Sequence, residues 1–198
     1  MTEFEIIYKS FMGFMEASQN YATPDAQLIA DYEGLFMDPK DTEDIIIDIW
    51  KINGLCTYKK GLFTFLNPKE YNEVARSFPE VSDKAEVFAR TATGCLFLWE
   101  EYRFGKNIAF LNIHTGVKNI LSTSFNVLVE WSLAATNYWK DNCNGKTEFA
   151  VMEKFKNIPP DKCAGYKLAL VLGGKESLEN MELFDFKTHL EILAQLHN

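Results

Sequence analysis

The sequence predicts an α+β fold: a mostly antiparallel sheet with a central meander, packed with N-terminal and C-terminal helices. Three observations carry this. Phe4, Ile7, Tyr8, Phe11 and Met15 recur at helical spacing and form one apolar stripe. Four apolar runs between residues 85 and 122, AEVFART, GCLFLWEE, NIAFLNI and GVKNILS, are separated by Thr93-Gly94, Phe104-Gly105-Lys106 and His114-Thr115-Gly116. Turns that short join antiparallel neighbours. Helical spacing then returns in the last twelve or so residues, with Leu190, Leu193 and His197 on one face.

The elements follow in order. After the first helix, Thr23-Pro24 predicts a short helix with the threonine as N-cap and the proline in the first turn. Residues 41–52 predict a helix with Ile45, Ile46, Ile49 and Trp50 on one side and Asp41, Asp44 and Asp48 on an acidic outer face, ended by Asn53-Gly54. LCTYKKGLFTFLNP reads as strands 55–58 and 62–66 about a Lys59-Lys60-Gly61 turn. Asn67, Pro68 and Glu70 then form a capping arrangement that opens a helix running to Arg76. Beyond the meander, Ser124 caps a helix carrying Phe125, Leu128, Val129, Leu133 and Trp139, and a second helix covers 146–155. Ile158-Pro159-Pro160 breaks the chain, residues 166–172 and 181–184 read as strands, and the last helix closes the molecule. The organisation expected is a helical segment with a short hairpin over 1–80 and an α+β region over 81–198, forming one compact unit.

LALVLGGKES, residues 168–177, resembles a phosphate loop only in passing. A Walker-type loop needs a glycine five residues before the Gly-Lys pair's glycine and a hydroxyl after the lysine. Here those places hold Ala169 and Glu176, and a carboxylate there repels phosphate. Gly173 and Gly174 are read as turn residues.

With 198 residues, 47% of them hydrophobic, the chain can bury a sizeable core. Its apolar runs fall far short of the roughly 20 residues of a membrane helix, and the N-terminus lacks a basic region and cleavage site, so a protein that is not exported and has no membrane partner is expected. Cys56, Cys95, Cys143 and Cys163 form no CxxC pair and have no histidine at metal-ligand spacing, which argues for reduced thiols in a cytoplasm and against a metal site. The net charge of −8 is concentrated: residues 1–48 hold eleven acids against Lys9 and Lys40, net −9, while the remainder holds eighteen bases against seventeen acids. Such a field repels nucleic acid and attracts basic partners.

Catalytic chemistry is thin. His114, His189 and His197 have no acid or nucleophile at a spacing that proposes a pair, and Cys95 sits inside an apolar strand. Glu100 and Glu101 are adjacent on a strand and therefore point to opposite faces. No catalytic residue, cofactor or metal is assigned, and a binding function is expected rather than an enzyme.

The segment IWKINGLCTYKKGLFTFLNPKEY resembles the GAD-like domain at Trp50, Gly54, Gly61, Leu62, Phe63, Asn67, Pro68, Glu70 and Tyr71. VFARTATGCLFLW, GYKLALVLGG and HLEILAQL are similar to the C-terminal domain of type VI secretion immunity proteins that pair with a secreted DNase effector. The family pattern differs at Cys95, where it has an acid, and at Lys162, Ala164 and Leu168, where it has Glu, Tyr and Pro; a pocket built on those positions would be altered here. The resemblance implies a cytoplasmic immunity protein that occludes the active site of a cognate antibacterial toxin, a basic protein and a nuclease. Since a nuclease holds phosphates in a cationic groove, the expected contact surface is acidic: Asp38, Asp41, Glu43, Asp44 and Asp48, extended by Glu100 and Glu101. The alternative reading is a cytosolic small-molecule-binding or enzymatic protein, with a pocket between the N-terminal helices and the meander that uses Cys95, Tyr102, Arg103 or His114.

Overall fold

Helix α1 (Glu3–Met15) opens on a reciprocal cap: the Thr2 hydroxyl accepts the Glu5 N–H at 3.1 Å while the Glu5 carboxylate accepts the Thr2 N–H at 2.9 Å. The structure, a computed structural model, describes residues 2–36, 44–102, 105–129, 133 and 135–198, with the backbone alone for Ala17, Ser18 and Tyr102. The α1 stripe buries Ile7, Phe11 and Met15, with Phe4 and Tyr8 half-buried beside them. Helix α2 (Ala26–Tyr32) starts at Asp25 instead of Thr23, because the Asp25 carboxylate reaches the Leu28 N–H at 2.7 Å. Helix α3 (Ile45–Asn53) is capped by Asp44; the expected start at Asp41 lies outside the described residues. Gly54 ends α3 at φ 73°, and a Cβ there would stand 2.5 Å from Asn20 Nδ2.

Seven strands form one antiparallel sheet in sequence order: β1 (Ala17–Ala22), β2 (Leu55–Tyr58), β3 (Phe63–Phe65), β4 (Glu86–Thr91), β5 (Leu96–Tyr102), β6 (Gly105–Asn112) and β7 (Val117–Ser122). The meander is as the alternation predicts, except that Gly105 and Lys106, expected in a turn, open β6, paired with Tyr102 and Glu101. Strand β1 is not predicted: ASQNYA carries no apolar alternation and is a strand only because it pairs along β2. Helix α4 (Pro68–Ala75) crosses between β3 and β4, opened by Asn67 and Pro68 as expected.

Both faces of the central strands are covered, which is why β2, β3 and most of β4 are buried at consecutive positions, polar residues Thr57, Thr64 and Arg90 included. On one face Phe63 and Phe65 meet Phe11 of α1 and Trp50 of α3, while Phe97 and Trp99 continue the aromatic layer along β5. Thr64 and Arg90, paired across β3 and β4, point to the other face.

The C-terminal region closes around these layers. Ser124 caps a short helical turn, α5 (Phe125–Val127). The single helix expected through Trp139 does not form: the Leu133 N–H bonds back five residues to Leu128 O at 2.8 Å, and the Trp139 indole donates to Leu133 O at 3.0 Å. Ala135 is extended, at φ −115° and ψ 117°, and α6 (Thr136–Asn142) begins after it. Helix α7 (Gly145–Phe155) leads through Pro159-Pro160 to β8 (Lys162–Tyr166), which pairs with β9 (Met181–Asp185); α8 (Phe186–His197) follows. Residues 168–172 are not a strand as expected. They curl into a 3-10 turn, and the Asn180 amide clasps the backbone at Leu168 O (3.3 Å) and Lys175 O (2.9 Å). Helix α8 packs on α4 through Phe186 and Tyr71, whose rings lie 5.1 Å apart.

Candidate interaction surface and the buried polar core

The acidic end is built on α2 and α3, and many of its carboxylates are already engaged. Glu33 pairs with Lys51 at 2.8 Å, and Asp31 accepts from Lys69 and Gln27. Lysines from beyond residue 48 thus offset part of the local charge. Asp48 is one-third exposed and stands 3.8 Å from Lys51. Glu101, at the far end of β5, is exposed. Asp38, Asp41 and Glu43 lie outside the described residues.

Two expected surface acids are corrected. Asp44 is not on the outer face of its helix: it is buried at the N-terminus of α3, accepting N–H groups from Ile47 at 3.2 Å and Gly34 at 2.9 Å. Burial outweighs those two donors and pushes its carboxyl up to about 6. Glu100 is fully buried, held by Lys118 Nζ at 2.8 and 3.0 Å and by the Ser82 N–H at 2.9 Å. Both acids fasten backbone or strand, and neither presents its charge to a partner.

A second polar assembly had no signal in the sequence because its members come together only on folding. Glu148 of α7 is fully buried and accepts from the hydroxyls of Thr91 (2.7 Å) and Thr93 and from the Thr93 N–H (3.1 Å). Burial pushes its carboxyl up to about 7, against the pull of the three donors and of Arg90. The Cys95 thiol beside it is pushed up to about 12 by burial, and the Cys163 thiol likewise, so both are inert packing groups. His114 Nε2 donates to Thr93 O at 3.0 Å, and burial pushes its imidazole down to about 3. The assembly pins α7 to the β4–β5 turn, and Glu148, Thr91, Thr93, Cys95 and His114 are all buried.

Glu148 gives a pH signature. Its folded value lies above its ordinary 4.5, so the folded protein holds a proton that the unfolded chain releases between about pH 4.5 and 7. The stability this group contributes is full below that window and falls by about 3 kcal/mol as pH rises through it. Glu148→Gln removes this dependence. Urea titrations from pH 4.5 to 7.5 should show the variant gaining about 3 kcal/mol relative to wild type across the range; a pH-independent difference would show that Glu148 does not titrate there.

Of the residues named for a pocket, Cys95 and His114 are buried in this core, while Arg103 and the Tyr102 side chain lie outside the described residues. Among the described residues no three His, Cys, Asp or Glu side chains group as metal ligands, and no helix is long and apolar enough to cross a membrane.

Known proteins place this architecture. Residues 6–113 match the family model of the GAD-like domain, and residues 125–197 match that of the T6SS immunity protein Tdi1, C-terminal. The crystal structure of Atu4351 from Agrobacterium tumefaciens is similar in fold, with a TM-score of 0.71 over 95% of this chain and 88% of that one, at 17% identity. No curated protein matches the chain. The two matched segments carry separate sheets but share one core, and Arg90 of the first donates to the carbonyls of Pro159 and Pro160 in the second. The chain belongs to the GAD-like domain family and carries, after that domain, the C-terminal domain of the T6SS immunity protein Tdi1 type.

Proposed function

We propose that this protein is a cytoplasmic immunity protein that binds a cognate secreted toxin, a basic nuclease, and neutralises it by covering the active site, with no chemistry of its own. The match of residues 125–197 to an immunity-protein domain carries the reading. The charge distribution supports the choice of toxin class: a nuclease needs a cationic groove, and residues 1–48 bring a net −9 to one end of this chain. The proposed contact set is Asp48 and Glu101, the two described acids of the expected surface that reach solvent, together with Asp38, Asp41 and Glu43 of the acidic sequence 1–48. Asp44 and Glu100 support that surface from below.

Co-expression with the product of the adjacent gene, followed by size-exclusion and a DNA-degradation assay of that product, tests the proposal. A stable complex that no longer cleaves DNA is expected. A neighbour that binds but cleaves no DNA removes the nuclease assignment while leaving immunity standing, and a neighbour that does not bind removes both.

A further inference from the structure

The strained backbone of this protein is concentrated at one place. Among the described residues five non-glycine positions have positive φ, and four of them border a single groove: Glu16 (46°), Lys59 (45°), Lys60 (58°) and Lys156 (62°). The fifth, Asn144, is of a type that enters this region readily. Glu16 and Lys156 occupy the C-caps of α1 and α7, where a left-handed residue is ordinarily glycine. Charged side chains stand at backbone positions that glycine would fill with less strain, and these positions gather around one surface feature.

Three segments meet there: the end of α1, the β2–β3 turn and the end of α7. They are tied by the Lys59 N–H to Glu16 O at 3.0 Å and the Ile158 N–H to Lys60 O at 2.9 Å. Gly61 lets them close up, since a Cβ there would stand 2.6 Å from Ile158 O. The groove measures about 1150 Å³. Leu62, Phe149 and Met152 form its apolar floor, and four lysines, Lys59, Lys60, Lys140 and Lys156, line it with two acids, Glu16 and Glu153; the Lys59 ammonium is itself held by Phe14 O at 3.3 Å and over the Phe14 ring. The lining is therefore locally cationic in a chain of net charge −8.

We infer that this groove is a second protein-docking site, and that it takes an extended acidic segment of a partner, carboxylates flanking a large apolar anchor residue. The apolar floor receives the anchor, and the lysines on both rims receive the flanking carboxylates. Nucleic acid is disfavoured by the −8 charge of the whole chain, whereas a short acidic segment feels mainly the lysines within a Debye length, about 10 Å at 0.1 M salt. The inference does not depend on a toxin docking at the acidic end.

The test uses a fluorescein-labelled dodecapeptide in which Glu and Asp flank a central Leu-Phe, and a counterpart with lysines in place of the acids. Anisotropy is measured with the full chain, with K60G/K156G and with Met152→Glu, at 50 and 300 mM NaCl, with 10 mM inorganic phosphate as competitor. Wild type should bind the acidic peptide saturably, at least about fivefold more weakly at the higher salt, and should not bind the lysine peptide. Both variants should bind at least about tenfold more weakly. K60G/K156G should also melt at the same temperature as wild type or higher, because glycine relieves the left-handed strain. No saturable binding by wild type, undiminished binding by either variant, full displacement by phosphate, or a lower melting temperature in K60G/K156G would each overturn the inference.

Discussion

Arg90→Ala is expected to cost about 4 kcal/mol of stability and to lower the melting temperature by roughly 10 °C. The guanidinium is wholly buried between the two family segments, donating to Thr91 O at 2.9 Å, Pro159 O at 3.1 Å and Pro160 O at 2.8 Å, with the Phe186 ring 5.0 Å away. Truncation leaves Pro160 O without its donor, takes one of two donors from Thr91 O and Pro159 O, which keep the N–H groups of Gly94 and Lys162 at 3.0 Å, and opens a cavity where the buried guanidinium stood; an orphaned buried group costs about 1–3 kcal/mol and the cavity adds to it. It also removes the positive charge that draws the Glu148 carboxyl downward, so Glu148 is driven further toward its neutral form. Arg90→Lys should recover part of the loss only, since an ammonium cannot reach three carbonyls with a planar fork. Wild type should unfold in one transition by both circular dichroism and tryptophan fluorescence, because Arg90 and the shared core couple the segments. A loss below 1 kcal/mol for the alanine variant would mean that the Pro159-Pro160 connection holds without it.

The largest effect on binding is expected from charge reversal. Replacing Asp38, Asp41, Glu43 and Asp48 together with lysine changes the acidic end by eight charge units and should weaken the toxin complex on the order of 100-fold or more at low salt, chiefly through slower association. The same protein should melt within a few degrees of wild type. Asp44→Lys is the necessary contrast: it buries an ammonium where two N–H groups need an acceptor, and should cost about 3 kcal/mol of stability. Surface plasmon resonance at 50 and 300 mM salt separates the two. Unchanged association by the quadruple variant would remove the acidic surface from the interface.

The contrast between Asp44 and Asp48 shows where the sequence stops being legible. Both look like polar positions on an amphipathic helix, yet one is a buried cap and the other is partly exposed, a difference set by Gly34 ten residues upstream. Local signals were readable where the physics is local: the Asn67-Pro68 start, the Ser124 cap, the meander turns at Thr93-Gly94 and His114-Gly116, and the span of α8. They failed where a distant partner decides. Strand β1 exists because β2 pairs with it, and the 168–172 run turns because Asn180 ties Leu168 O to Lys175 O across it. The Glu148 assembly joins α7 to Thr91 and Thr93, more than fifty residues earlier, a distance that no spacing pattern encodes.

The central claim is stoichiometric inhibition of a toxin, and titrating the purified neighbouring gene product with this protein while following DNA cleavage tests it most directly. Immunity by active-site occlusion predicts a linear fall in activity that reaches zero at one equivalent, with the acidic quadruple variant needing a large excess. Full cleavage at saturating complex, or loss of activity at far less than one equivalent, would contradict it.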